Sequence, residues 1–283
     1  MKFIDPHIHL FDRDKGDYQW LKADNAPYWP DKSIIDRNFR EDELIVDSQM
    51  RQSGFVHIEA GFDNVKPWLE IEWVEQQVKG PLRTIGFADL TLEPDEFKQL
   101  IERYQKYEST VGVRHIFDDD AIAIVEHANT LTNLKRLAAV DLIFETQIDG
   151  NDDAAVNTII ELCSVVPNLV IILSHCCFAP YTISTQTRWQ NNVKRLSQCP
   201  KLFIKASGWE MVNRSYDEKY IERTLKYLLS TFGEDRVVLA SNFPLTLFSQ
   251  PYKSLWQKYS ELSIDQYVLE KLMYGNALVL YQF

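Results

Sequence analysis

Short β-branched segments, each followed by a stretch with helical periodicity, recur eight times along this chain at intervals of roughly 30 residues, and no other feature restricts the fold as much. The segments are "KFIDPHIHL" (2–10), "GFVHIEAG" (54–61), "RTIGFADLTL" (83–92), "VGVRHIF" (111–117), "DLIFETQI" (141–148), "LVIILSHCC" (169–177), "LFIKASGWE" (202–210) and "RVVLASNFP" (236–244). Amphipathic stretches lie between them at 95–107, 125–138, 153–165, 217–231 and 264–274. Eight βα units in 283 residues predict one α/β domain spanning 1–283, a (β/α)8 TIM-type barrel, whose typical size is about 250 residues. A doubly wound open sheet is the competing architecture. It normally carries a glycine-rich turn after its first strand, and none of the ten glycines here falls in a GxGxxG or GxxxxGK[ST] pattern.

The stretch from about 11 to 40 is long for a βα loop, and it contains Tyr18, Trp20, Tyr28, Trp29 and two prolines in "NAPYWPDKS". Because it follows the first strand, a barrel sets it over the carboxyl face, where active sites are built. Substrate contact and simple plugging of the barrel mouth are equally open to those aromatics.

Composition narrows the partners. Thirty Lys and Arg against 41 Asp and Glu give a formal charge of -11, which repels phosphate backbones and anionic membrane surfaces, so a small-molecule substrate is expected rather than nucleic acid or membrane. No apolar run approaches the roughly 20 residues that span a bilayer, and "MKFIDPHIHL" lacks a basic leader with an apolar core, so a cytoplasmic location is expected. Cys163, Cys176, Cys177 and Cys199 form no CxxC pair and no spaced framework, which implies reduced thiols. A homo-oligomer stays open.

Barrel strands are covered by helices, so polar residues near their C-terminal ends are out of place unless they serve a site. Strand by strand they are His7 and His9; His57 and Glu59; Asp89; Arg114 and His115; Glu145, Gln147 and Asp149; His175; Lys205, Ser207 and Glu210; and Asn242. Five of the six histidines are among them, and only His127 lies in a helical stretch. Alternation sends residues i and i+2 to one face, so His7 and His9 are expected to point together into the barrel mouth. Neutral imidazole suits zinc, and a catalytic site needs about three protein ligands with one open position, which makes His175 the third candidate beside His7 and His9 for a divalent metal.

Taken together, "DPHIHLFD", "HIEAGF" followed by "EIEWVE", "GVRHIF", "LVIILSHCCFAP", "LFIKASGW" and "LASNFPL" resemble the amidohydrolase-2 branch of the amidohydrolase superfamily. Within it they are similar to the group of sugar-acid lactonases and 2-pyrone-4,6-dicarboxylate lactonase, from Asp5 to "YGNALVLY" near residue 281. The resemblance implies a (β/α)8 barrel that hydrolyses a small lactone or amide, with the HxH pair and the strand-six histidine grouped around a metal or the substrate carbonyl. It also implies an S-D-x-P ending to the last strand, whose aspartate binds metal and activates water. This chain has "SNFP", with Asn242 at that position, and "SHCCFAP" where "DHLGKP" is common.

An amide neither takes a proton from water nor neutralises a divalent charge. Three readings follow: another base acts, from among Glu145, Asp149, His115 and Glu59; the substrate needs only carbonyl polarisation and a positioned water; or the barrel binds a metabolite with little turnover. Asn242, Glu145 and His115 are the candidate catalytic groups. Metal affinity is expected to be weakened, with occupancy partial, unless the thiol of Cys176 or Cys177 turns inward as thiolate; otherwise both cysteines are small core residues. Arg114 offers a bidentate fork for a substrate carboxylate, or else an ion pair with an acidic neighbour. Lys205 stabilises an oxyanion or a substrate acid group, or else reaches solvent, while His57 and Gln147 are expected to line the pocket. The function predicted is opening of a small, anionic lactone; a non-catalytic metabolite-binding barrel and the decarboxylation performed by the wider family are the alternatives.

Overall fold

A computed structural model describes residues 1–283. Eight parallel strands run in chain order around a single sheet: β1 (Lys2–Ile8), β2 (Arg51–Ile58), β3 (Leu82–Phe87), β4 (Thr110–Arg114), β5 (Ile143–Thr146), β6 (Ile171–Leu173), β7 (Leu202–Ala206) and β8 (Val237–Leu239). Closure from β8 back to β1 is made past the end of β8, by a parallel bridge between Ile8 and Phe243 in which His9 N–H donates to the Phe243 carbonyl at 2.7 Å. The predicted barrel is thus observed as one domain with an almost complete ring.

Helices α1 (Trp68–Gln77), α2 (Pro94–Tyr104), α3 (Ala121–Glu126), α4 (Thr130–Ala139), α5 (Asp153–Val165), α6 (Gln186–Leu196), α7 (Trp209–Val212), α8 (Glu218–Phe232), α9 (Tyr252–Ser260), α10 (Gln266–Glu270) and α11 (Asn276–Leu280) follow or link the strands. The stretch expected as one helix at 125–138 is two, α3 and α4, broken where His127 and Asn129 turn the chain. The N-termini of α5 and α8 are capped by Asp152 and Asp217, whose carboxylates accept free backbone N–H groups of the first turn. Two apolar clusters divide the interior: a large one between strands and helices, and a small one of Ile4, Val56, Ile58, Ile85, Val111, Ile143 and Ile172 inside the ring, floored by Ala277 and Tyr281 of the C-terminal segment.

The observed strands are shorter than the sequence segments, ending at residue 146 instead of 148, 173 instead of 177, 206 instead of 210 and 239 instead of 244. Polar residues at those ends therefore sit on turns beyond the ladder. Register breaks in β1 between Phe3 and Asp5 and between Asp5 and Ile8 change which face the chain shows, so Ile4 enters the inner cluster and His7 and His9 still reach the mouth. After β6, His175, Cys176, Cys177 and Phe178 all adopt left-handed backbone, with φ between 49° and 57°. Such a run in non-glycine residues costs about 1–2 kcal/mol per residue, and it is held by Cys177 N–H to Ser174 O, Phe178 N–H to His175 O and Trp189 Nε1–H to Cys176 O.

The 11–40 stretch roofs the mouth. Phe11, Tyr18, Leu21, Ile35 and Phe39 are fully buried, Trp20 Nε1–H donates to Ala60 O at 2.7 Å, and Asp31 pairs with Arg214 at 2.8 Å. Its aromatics serve as packing for the most part; Tyr28 alone among the four singled out is largely exposed.

Candidate active site

Three histidines meet under this roof. His7 and His9 bring their Nε2 atoms to 3.1 Å, and the rings of His7 and His175 lie 4.8 Å apart between centroids. Burial, with Lys205 next in importance at His7 and Arg114 at His9 and His175, drives all three below the ordinary imidazole range, His175 to about 3. They are neutral at pH 7.

Neighbours fix where the protons sit. Lys205 Nζ donates to Pro6 O at 2.7 Å and to Glu145 Oε2 at 2.6 Å, and lies 3.3 Å from His7 Nδ1. Burial lowers Lys205 only to about 8, so it is an ammonium at neutral pH and His7 Nδ1 must accept; the His7 proton is then on Nε2 and points at His9. His9 Nδ1–H donates to Ile58 O at 2.9 Å, leaving its Nε2 lone pair to receive it. His175 Nδ1 is 3.1 Å from Ser207 Oγ, and Gly208, in left-handed backbone with φ 68°, lies so close that a Cβ there would fall 2.6 Å from that nitrogen.

This donor set does not fit the zinc expected from the sequence. A metal on His7 would need the Nε2 lone pair, which the Lys205 ammonium forces to carry hydrogen, and no group of three or more His, Cys, Asp or Glu side chains is arranged to hold an ion. The thiols give no rescue. Cys176 and Cys177 belong to the apolar core, and burial pushes both up, away from thiolate.

Several candidates are occupied by structural work. Glu145, expected as a base, is fully buried with Oε2 on Lys205 and Oε1 accepting the Tyr281 hydroxyl at 2.8 Å. Lys205 is equally enclosed, and its three donors are spent on Pro6, Glu145 and His7, so it does not reach substrate. His57 is buried and held at both nitrogens, Nδ1 accepting from Leu10 N and Nε2 bonding to Glu70 Oε1 at 3.0 Å, so neither nitrogen is left for substrate. His115 accepts from Leu90 N at 3.2 Å between the rings of Phe87 and Phe117 and makes no hydrogen bond to the histidine trio. Gln147 donates to both carboxylate oxygens of Asp118, and exposed Asp149 caps the turn at Asn151.

Arg114 combines its two readings. Its Nε donates to Glu59 Oε1 at 2.7 Å and its Nη2 to Glu59 O at 2.8 Å, while Nη1 makes no hydrogen bond within the chain. Its charge bears on all three histidines, and its Nη1 edge keeps donors that the protein does not use.

Asn242, also in left-handed backbone with φ 59°, donates from Nδ2 to Glu210 Oε1 at 2.6 Å. Asparagine tolerates that conformation better than most residues. Glu210 had no role assigned from the sequence, although it stands among the strand-end polar residues. The local signal is the preceding Gly208: its left-handed turn starts α7 just after β7, and Glu210 in that first turn bonds Asn242 at the end of the neighbouring strand. Also unforeseen are Glu70, which orients His57 and accepts from Ala60 N–H and Phe62 N–H, and Tyr281 beneath Glu145.

A family model described as Amidohydrolase matches residues 4–283. An uncharacterized protein, y4mH, of Sinorhizobium fredii is 25% identical, with 99% of this chain and 98% of that protein covered. The L-fucono-1,5-lactonase of Burkholderia multivorans is 24% identical, covering 97% of this chain and 94% of its own. Among solved structures, an amidohydrolase from Burkholderia multivorans with bound zinc superposes with a TM-score of 0.78 at 21% identity, over all of both chains. That likeness shows the fold.

Proposed function

The chain belongs to the amidohydrolase family, and from that premise we propose that it hydrolyses a small lactone carrying an acid group, a sugar-acid lactone or a close relative of one. The observation that carries the reading is a neutral imidazole with an unspent nitrogen at the barrel mouth. His175 Nδ1 bonds the Ser207 hydroxyl and its Nε2 has no partner in the protein; in the tautomer in which Ser207 donates to Nδ1, Nε2–H is a free donor, and Nη1 of Arg114, whose charge bears on this ring, is unspent as well. A donor in a water-poor site polarises a carbonyl and stabilises the oxyanion formed on attack, and the guanidinium edge supplies a partner for the acid group. The similarity to an L-fucono-1,5-lactonase supports the choice of lactone over amide.

The test is a pH-monitored screen of L-fucono-1,5-lactone and other aldonolactones, since each ring opening releases a proton at neutral pH. Turnover of at least one lactone above its spontaneous rate is expected. Acid release at the uncatalysed rate across the whole panel would remove the reading.

A further inference from the structure

Ring opening needs a group that takes a proton from water, and the obvious ones are engaged: Glu145 is hydrogen-bonded on both oxygens, Glu59 is paired with Arg114 through Oε1, Asp149 is exposed and His115 Nδ1 is spent on Leu90 N–H. Among the carboxylates singled out at the barrel mouth, Glu210 stands out. It is 1% exposed, its Oε1 accepts from Asn242 Nδ2, and its Oε2 has no partner. Asn242 is likewise 1% exposed, and its Oδ1 has no partner either. These two orphan atoms are both acceptors, carried on side chains already joined by a 2.6 Å bond. Buried acceptors are normally satisfied, and a single water admitted between them would satisfy both by donating a hydrogen to each.

The position suits attack on a substrate held by His175. Residues 207–210 lead from β7 into α7: Ser207 bonds His175 Nδ1, Gly208 packs on the same ring, and Glu210 in the first turn of α7 bonds Asn242 from the next strand end. One short segment thus carries both the hydroxyl that bonds His175 and the carboxylate that bonds Asn242.

We propose that Glu210 is the general base of the hydrolysis and that Asn242 positions the water it activates; the inference rests on the lactonase reading above. Glu210 Oε2 takes one proton as the water oxygen forms its bond to the lactone carbonyl carbon. Collapse of the tetrahedral adduct breaks the ring C–O bond, and the departing alkoxide takes that proton back from Glu210. The products are one hydroxy acid and an ionised Glu210 ready for a second cycle, with no other reactant consumed. Burial pushes the Glu210 carboxyl up to about 7, opposed by its bond to Asn242 and by Arg214; Tyr216, Tyr220 and Tyr259 are the other titratable groups near enough to feel its charge. A base is most effective with its pKa near the working pH, and only the ionised form acts, so kcat should rise with pH to a plateau above about 7.

Glu210→Gln keeps the shape and removes the acceptor. In the intact protein, with the lactone that the wild type opens fastest, it should lower kcat by about 10² to 10⁴ while KM stays within a few fold, and the acid limb of the pH profile should vanish. Glu210→Asp, which keeps a carboxylate, should retain that limb at reduced kcat. Unchanged circular dichroism of both variants guards against misfolding. Glu210→Gln with kcat within about threefold of wild type, or with the acid limb intact, overturns the role of Glu210 and leaves the lactonase standing. A wild type that opens no lactone fails at the earlier step and takes this inference with it.

Discussion

Glu145 and Glu210 are both carboxylates buried in one barrel, about as far from water as each other, and they are handled in opposite ways. Glu145 sits between the floor and the histidines with an ammonium at 2.6 Å and a phenol hydroxyl at 2.8 Å, every oxygen occupied. Glu210, at the mouth, has one amide donor, one orphan oxygen and a carboxyl pushed up to about 7. Burial alone assigns neither role. A fully paired charge is inert and holds structure, whereas an underpaired one keeps a proton affinity that chemistry can use.

The sharpest way to break that contrast is Lys205→Met. It strands Glu145 as an uncompensated charge in the ring and removes the donor that sets the His7 tautomer, so unfolding free energy from denaturant titration should fall by about 3–5 kcal/mol. A loss under about 1 kcal/mol would mean that Glu145 is as loosely held as Glu210.

Next in size is the response of Glu210→Gln to pH. The folded pKa of Glu210, about 7, is raised above the value of 4.5 for the free side chain, so its contribution to stability is fully present below pH 4.5 and is lost as pH rises through 7. Removing the group should lessen the fall of wild-type stability between those limits by up to about 3 kcal/mol. Parallel stability curves for the two proteins over that window would show that Glu210 titrates as an ordinary carboxyl.

Arg114→Ala sharpens the comparison from the other side, since this cation is half structural and half unspent. It should lower stability by about 1.5–3 kcal/mol through the loss of the charged hydrogen bonds to Glu59, and also raise KM for an acidic lactone. A change in stability with unchanged KM would make Arg114 as purely structural as Lys205.

Much of this was legible in the sequence. The eight βα repeats fix the barrel because hydrophobic periodicity and right-handed crossover leave few ways to bury so many parallel strands. The same periodicity brings His7, His9 and His175 to one end. Spacing did not reveal who spends whose hydrogen bonds. Arg114 and Lys205 look alike as strand-end cations, yet one keeps a free edge and the other has none, because Lys205 faces inward across the ring to Glu145 and His7. Nor did it show that strands end early, so that Glu145 falls inside the ladder while Glu210, in α7, and Asn242 fall beyond it.

Chain order and side-chain period, which are local, determined the barrel and the end of it at which the polar residues gather. Pairings across the ring join residues as far apart as Pro6 and Lys205, Asp5 and Ser241, or Glu145 and Tyr281, and only the tertiary structure decided them. The proton positions of the histidines and the difference between Glu145 and Glu210 belong to that second class, because both depend on which donors arrive from distant strands and which oxygen is left without one.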